Sequence, residues 1–288
     1  MYVVTGITGK VGGSVARTLL DAGLPIRAVV RNEAKGQPWA ARGCEVAIAD
    51  LDDAGPLTKA FSGAEGVFAM LPPLFDPSPG FPEAEAMIAT LRSALEAAAP
   101  GKVVALSTVG ADAPQPNLLN QLGLFEQALA NLKTPVTFLR PAWFMENAAM
   151  DAAAARDQGV IQSYLQPLDR RVPMIATEDV GRTAGELLQE TWRGHRVVEL
   201  EAASRVSPDD IAAAFAKALG RAVRAEAVPP ETWEGIFRRA GMKNPAPRIQ
   251  MINGFNEGWI DYPDRGASAR KGRVALDAVI SKLTVEAS

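Results

Sequence analysis

The run Thr5-Gly6-Ile7-Thr8-Gly9-Lys10-Val11-Gly12-Gly13 places glycines at 6, 9 and 12, three residues apart. It follows a short apolar run and opens a stretch in which Val11, Val15, Leu19 and Leu20 recur at helical spacing. A glycine turn between a strand and a helix suits one chemistry above others. A pyrophosphate can approach the backbone closely, and the helix N-terminus supplies N–H donors and positive potential. The Gly-Lys-Ser/Thr ending of a Walker loop is absent, which disfavours ATP hydrolysis. The second apolar run ends at Val30-Arg31-Asn32, and Arg31 stands 19 residues beyond Gly12, near where an NAD-selective site carries an acid for the ribose hydroxyls. An acid would repel a 2′-phosphate, whereas a guanidinium can pair with it bidentately, so Arg31 favours NADP(H) over NAD(H). The plain alternative is a solvated strand-end charge. Lys10 and Lys35 could assist with phosphate or simply be exposed.

The rare residues narrow the rest. There is one Cys (Cys44), one His (His195) and three Tyr (Tyr2, Tyr164, Tyr262). A single Cys excludes an intrachain disulfide framework and a Cys-based zinc site, and a single His excludes multi-histidine metal sites, so no metal is expected. His195 follows Arg193-Gly194 and reads as a surface imidazole at a turn; Cys44 precedes an apolar strand and reads as buried and inert. Chemistry must then rest on carboxylates, hydroxyls, backbone groups or a cofactor.

These residues need a scaffold, and the first half supplies an alternation of strands and helices. Strands are predicted at 2–5, 26–30, 45–49, 66–70, 102–107 and 136–139, and helices at 11–22, 34–42, 54–61, 83–98 and 117–131. The strands are nearly continuous apolar runs, as burial on both faces demands. The expectation is an α/β fold, a Rossmann-type doubly wound parallel sheet of order 3-2-1-4-5-6, with right-handed crossovers. Its carboxyl edge collects the glycine turn, Arg31, Asp50-Leu51 (where the adenine would lie), the Met70-Leu71-Pro72-Pro73 exit and the Ser107-Thr108-Val109-Gly110 exit. The stretch 71–82 holds five prolines and one glycine and is read as a loop beside the site. Beyond 139 the rhythm weakens. Helices are predicted at 177–190, with Thr177 as N-cap, at 207–219, with Ser207 as N-cap, Pro208 at N1 and Gly220 at the end, and at 231–240. A strand is predicted at 196–200. The division expected is 1–147 for the nucleotide-binding domain, with later segments able to return to it, and 148–288 for a smaller, helix-rich lobe.

The 288 residues are 48% hydrophobic and 22% charged, ordinary values for a globular chain. Lys and Arg number 30 against 33 Asp and Glu, a net charge of −3, which argues against non-specific nucleic-acid binding. No targeting segment or transmembrane run is read, so the expected setting is cytoplasmic, with a small-molecule substrate and a monomer or homodimer.

Taken together, the residues resemble the NmrA-like branch of the atypical short-chain dehydrogenases, and within it the NAD(P)H-dependent quinone, triphenylmethane-dye and azo-dye reductases. The carriers are Thr5–Gly12, Val29-Val30-Arg31-Asn32, Ala49-Asp50-Leu51-Asp52, the block from Leu139-Arg140-Pro141 to Glu146-Asn147, and Met174–Gly181. Segments around Trp233, Ala240-Gly241-Met242 and Gly254–Gly258 extend the resemblance over nearly the whole chain. It implies that Gly6, Thr8, Gly9, Lys10 and Val11 hold a pyrophosphate and Arg31 a 2′-phosphate. Leu71, Pro72 and the loop after Ser107 would flank the ribose and nicotinamide, and Asn147 with the Pro141–Phe144 turn would border the nicotinamide pocket.

Ordinary short-chain dehydrogenases carry Tyr-x-x-x-Lys on the helix after the fifth strand, where Lys lowers the Tyr pKa for proton transfer. Here the helix 117–131 has no Tyr, Lys or His, and neither Tyr164 nor Tyr262 is followed four residues on by Lys. Leu122 occupies a position that is polar in many relatives, four before Glu126. No catalytic acid is therefore assigned, and epimerase or alcohol dehydrogenase chemistry is disfavoured. Hydride transfer to a quinone or dye cation needs no positioned acid, only an apolar pocket over the nicotinamide. Phe75, Phe81, Trp143, Phe144 and Met145 could line it, with core packing as the alternative for each. The leading expectation is an NADPH-dependent reductase of quinone-like or conjugated aromatic acceptors. The runner-up is a non-catalytic NADP(H)-sensing regulator.

Overall fold

A computed structural model of the chain describes residues 1–286. In chain order the elements begin with β1 (Tyr2–Val4), α1 (Lys10–Asp21), β2 (Ile26–Val30), α2 (Glu33–Ala40), β3 (Glu45–Ile48), α3 (Ala54–Phe61) and β4 (Gly66–Ala69). They continue with α4 (Pro82–Ala98), β5 (Val103–Leu106), α5 (Asn120–Leu129), β6 (Val136–Pro141), β7 (Trp143–Phe144), α6 (Ala152–Gln158), β8 (Val160–Ser163) and β9 (Met174–Ile175). The last are α7 (Thr177–Gln189), β10 (His195–Glu201), α8 (Pro208–Leu219), β11 (Arg224–Ala227), α9 (Trp233–Arg239), α10 (Ala246–Glu257), β12 (Arg270–Lys271) and α11 (Leu276–Glu286). Packing divides them into two units, one of Met1–Ala111, Gln121–Arg140 and Thr177–Val198, the other of Asp112–Asn120, Pro141–Ala176 and the described residues from Glu199 onward.

The eight-stranded sheet has the order β12-β10-β6-β5-β4-β1-β2-β3. Its first six strands follow the expected order, and the β1–β2, β1–β4, β2–β3, β4–β5 and β5–β6 pairs are parallel. The strand β10 extends this sheet beyond β6. β1, β4 and β5 are buried throughout and read as apolar runs, while β3 at the edge is half-exposed, as an edge strand must be. In the first unit, Val3, Val67 and Val103 join Leu57, Phe61, Leu91, Leu95 and Phe125 of α3, α4 and α5 in one core. Burying each such side chain contributes about 1.5–3 kcal/mol.

The opposite face carries α1 and α7. They cross closely because α7 presents glycine: a Cβ on Gly181 would stand 2.3 Å from Cβ of Ser14 and 2.6 Å from the Val11 carbonyl oxygen. Ser14 Oγ donates to the Glu178 carbonyl at 2.9 Å across the same crossing. The Thr177-Glu178-Asp179-Val180-Gly181 block thus braces the helix that the glycine turn opens. Thr177 is the first residue of α7.

The first unit's second segment ends at Arg140, and the segment 177–198 returns to it from beyond residue 147. The second unit holds more structure than the sequence pattern predicts. β7 pairs with β9, β8 with β11, and the end of β10 with β12, all parallel. The sequence pattern predicts neither α10 nor α11. α10 contains Pro247, Asn253 and Gly254 and buries Met251, Ile252, Gly254 and Phe255, so tertiary burial overrides weak helix propensity. α8 meets the expectation at its start, where Ser207 and Asp210 form a reciprocal capping box with Pro208 in the first turn. The helix read at 117–131 is shorter: α5 begins at Asn120, because Asn117 Oδ1 accepts the Leu119 N–H and holds a turn instead.

Candidate functional site

All the sequence-predicted nucleotide residues except Asn147 belong to the first unit, and the glycine turn and the strand ends lie along one sheet edge. Thr5 ties the ends of two neighbouring strands together: its Oγ1 donates to the Phe68 carbonyl at 3.0 Å and accepts the Met70 N–H at 3.2 Å. The chain then turns at Gly6, whose φ of 61° is left-handed, and the Gly9 N–H closes the turn on the Gly6 carbonyl at 2.9 Å. A Cβ on Gly12 would lie 2.3 Å from that same carbonyl oxygen, so no larger residue fits beneath the turn. Buried Ile7 anchors the turn from below, leaving Gly6, Thr8, Gly9 and Lys10 exposed. The twelve-residue α1 is capped by extended Gly9, which brings no side-chain bond to the helix N-terminus. Its first N–H groups and the positive end of its dipole are thereby offered to an anion. The turn, the absent side-chain cap and exposed Lys10 fit the diphosphate of a dinucleotide.

Arg31 follows β2 directly, is exposed, and has no ion pair among the described residues. Its neighbour Asn32 is committed locally, accepting the Lys35 N–H at 3.1 Å as the N-cap of α2. Asp50 is exposed beyond β3 and accepts the Leu51 N–H at 2.7 Å. Beyond β4, Met70 seats its sulfur against Gly6, only 2.5 Å from where a Cβ would stand. Leu71 belongs to the core and Pro72 is exposed. Of the two phenylalanines assigned to a pocket in this unit, Phe81 packs on the core as the left-handed residue before α4, and Phe75 is 57% exposed.

Ser107, the first residue beyond β5, enters a network that the sequence did not reveal. Its Oγ donates to Glu126 Oε1 at 2.5 Å. Arg140, on β6, reaches the same Oε1 through Nε at 2.8 Å and Oε2 through Nη2 at 2.6 Å. The three residues are 4%, 9% and 9% exposed. An ion pair buried this deeply survives only with such bidentate geometry, because desolvation otherwise exceeds the attraction. Glu126 and Arg140 lie 14 residues apart on a helix and a strand, a separation that carries no local signal.

The remaining assigned residues belong to the second unit. Trp143 is half-buried and meets Phe255 edge-on at 5.1 Å, Phe144 is half-buried, and Met145 is 2% exposed. Asn147 is exposed on the short 3-10 turn Met145–Asp151. Asp151 closes that turn, and burial pushes its carboxyl up to about 6.

The scarce residues behave as the sequence suggests. Cys44 is buried and burial raises its thiol pKa, which removes thiolate character. His195 is exposed at the start of β10. No cluster of metal-ligating side chains occurs among the described residues, and no helix among them is long and apolar enough to cross a membrane.

Residues 2–262 match the model of the NmrA-like family. An NAD(P)H azoreductase of Xenophilus azovorans is 30% identical over 243 residues, covering 84% of this chain and 82% of that protein. Quinone oxidoreductase 2 of Escherichia coli K12 is 27% identical over 244 residues, with 84% and 82% covered. Among solved structures, an NADPH-dependent quinone oxidoreductase of Escherichia coli in complex with NADPH superposes with a TM-score of 0.81 at 24% identity, covering 98% of this chain and 99% of that one.

Proposed function

The chain belongs to the NmrA-like family, and on that premise we propose that it is an NADPH-dependent reductase of quinone-like or conjugated aromatic acceptors. The observation that carries the reading is the first unit's edge: a glycine turn opening a helix with no side-chain cap, beside a free guanidinium at the end of the neighbouring strand. The α1 N-terminus and Lys10 hold the diphosphate. Arg31 takes the 2′-phosphate, which NADH lacks, and this sets the preference for NADPH. Bound there, the cofactor supplies hydride.

The residues around the edge favour an acceptor that needs no acid. α5 contains no Tyr, Lys or His, and the Ser107 proton is directed to Glu126. An acceptor that delocalises charge takes the hydride first and a proton from water afterwards, which completes the two-electron reduction. The names of the azoreductase and quinone oxidoreductase relatives support the same acceptor class.

The test is loss of NADPH absorbance with a panel of quinones, azo dyes and triphenylmethane dyes, alongside direct titration of NADPH and NADH. Turnover of at least one class with tighter NADPH than NADH binding is expected. NADPH binding with no turnover across the panel would overturn the reductase reading in favour of an NADP(H)-sensing protein.

A further inference from the structure

Ser107 sits at the edge that carries the glycine turn, just beyond β5, the strand next to β4, and its hydroxyl has a fixed polarity. A guanidinium has N–H donors and no acceptor, so the carboxylate it grips faces Ser107 as an acceptor. The hydroxyl can satisfy Glu126 only by giving it the proton. What remains on Ser107 Oγ is lone pairs. We propose that Glu126 and Arg140 are positioning residues that fix Ser107 Oγ as a hydrogen-bond acceptor for an N–H or O–H at the nicotinamide end of the bound dinucleotide. Two groups there share that chemistry, the carboxamide N–H and a ribose hydroxyl. This rests on the reading of the edge as a dinucleotide site. It also gives the buried ion pair a task beyond packing, and it makes Ser107 a reader of the cofactor rather than an acid for the acceptor.

The experiment is binary NADPH binding, followed by fluorescence or calorimetry without any acceptor, on wild type, Ser107→Ala, Ser107→Thr, Glu126→Gln and the Ser107→Ala/Glu126→Gln double variant. Thermal melts select the variants that remain folded. Ser107→Ala should weaken NADPH by about 2- to 13-fold, the worth of one uncharged hydrogen bond. Ser107→Thr, which keeps a hydroxyl, should recover most of that loss. Glu126→Gln lets an amide N–H face Ser107 and should weaken binding to a similar degree. Because both act through one oxygen, the double variant should bind no worse than Ser107→Ala alone. Repeating the Ser107→Ala comparison with the 3-acetylpyridine analogue of NADP, which has no carboxamide N–H, separates the donors. A loss that disappears assigns the carboxamide, and a loss that persists assigns the ribose.

Unchanged NADPH affinity in Ser107→Ala, or fully additive losses in the double variant, would overturn the inference. Should Glu126→Gln fail to fold, Ser107→Ala and Ser107→Thr still decide it. Wild-type protein that does not bind NADPH at all would instead overturn the underlying dinucleotide reading.

Discussion

Replacing Asp151 by Asn tests how strongly burial acts on the acidic end of the Met145–Asp151 turn. Removal from water raises the Asp151 carboxyl from 3.8 to about 6, with a backbone hydrogen bond at Gln162 opposing the shift. About two pH units at 1.36 kcal/mol each correspond to roughly 3 kcal/mol between the two protonation states. The folded chain holds this proton more tightly than the unfolded chain does. Between about pH 4 and 6 the folded state therefore binds more protons, and stability falls as pH rises through that window. Asp151→Asn carries no such loss. Wild type and variant should show their smallest difference below about pH 4. By pH 7 the variant should have gained up to roughly 3 kcal/mol relative to wild type. At about 2 °C per kcal/mol for a chain of this size, the gain is about 6 °C in Tm. The assay is a pair of melting series, by circular dichroism or dye fluorescence, run in matched buffers from acid to neutral pH. Groups unaffected by the substitution cancel in the difference between the two series. A gap that stays constant from pH 4 to 7 would mean that the carboxyl titrates as it does in water, and the burial argument would be refuted.

Arg31→Ala should weaken NADPH by at least tenfold and leave NADH nearly unchanged, read by parallel titrations; equal losses for both would show that Arg31 does not touch the 2′-phosphate. Gly181→Ala should lower stability by about 1–3 kcal/mol, because the added methyl meets Ser14 and the Val11 carbonyl. The same variant should weaken NADPH by displacing α1, so a melt and a titration check it together. Arg140→Met leaves Glu126 buried without its cation and should cost about 3–5 kcal/mol in denaturant unfolding. Adding Glu126→Leu should restore much of that loss, since the desolvated charge is then gone; no recovery would indicate that packing of the Arg140 stem dominates.

Much of the first unit was legible in the sequence because its signals are local. Strand runs such as Val103–Leu106 are apolar on both faces, and the glycine triplet is a short-range demand for close backbone approach. Arg31 and Asp50 fall at predicted strand ends, so their placement on the edge followed from the sheet order. Phe81 and Leu71 show the limit of this reasoning, since an apolar residue in a loop beside a site can equally pack in the core, and here Leu71 lies in the buried core and half-buried Phe81 packs against it. The second unit was less legible, because α10 buries an irregular set of residues around Gly254 and the strand pairs β7–β9 and β8–β11 join segments with no periodic signature.

The α/β alternation, the glycine turn, the charge at Arg31 and the lack of a Tyr-x-x-x-Lys pair are all written in neighbouring residues or in composition, so they can be read without the fold. Packing alone brings Ser107, Glu126 and Arg140 into one buried network and makes Gly181 the contact at which α7 crosses α1. Those facts join positions up to 170 residues apart, as Gly181 and Val11 are, and such pairings are set by how elements pack rather than by local spacing.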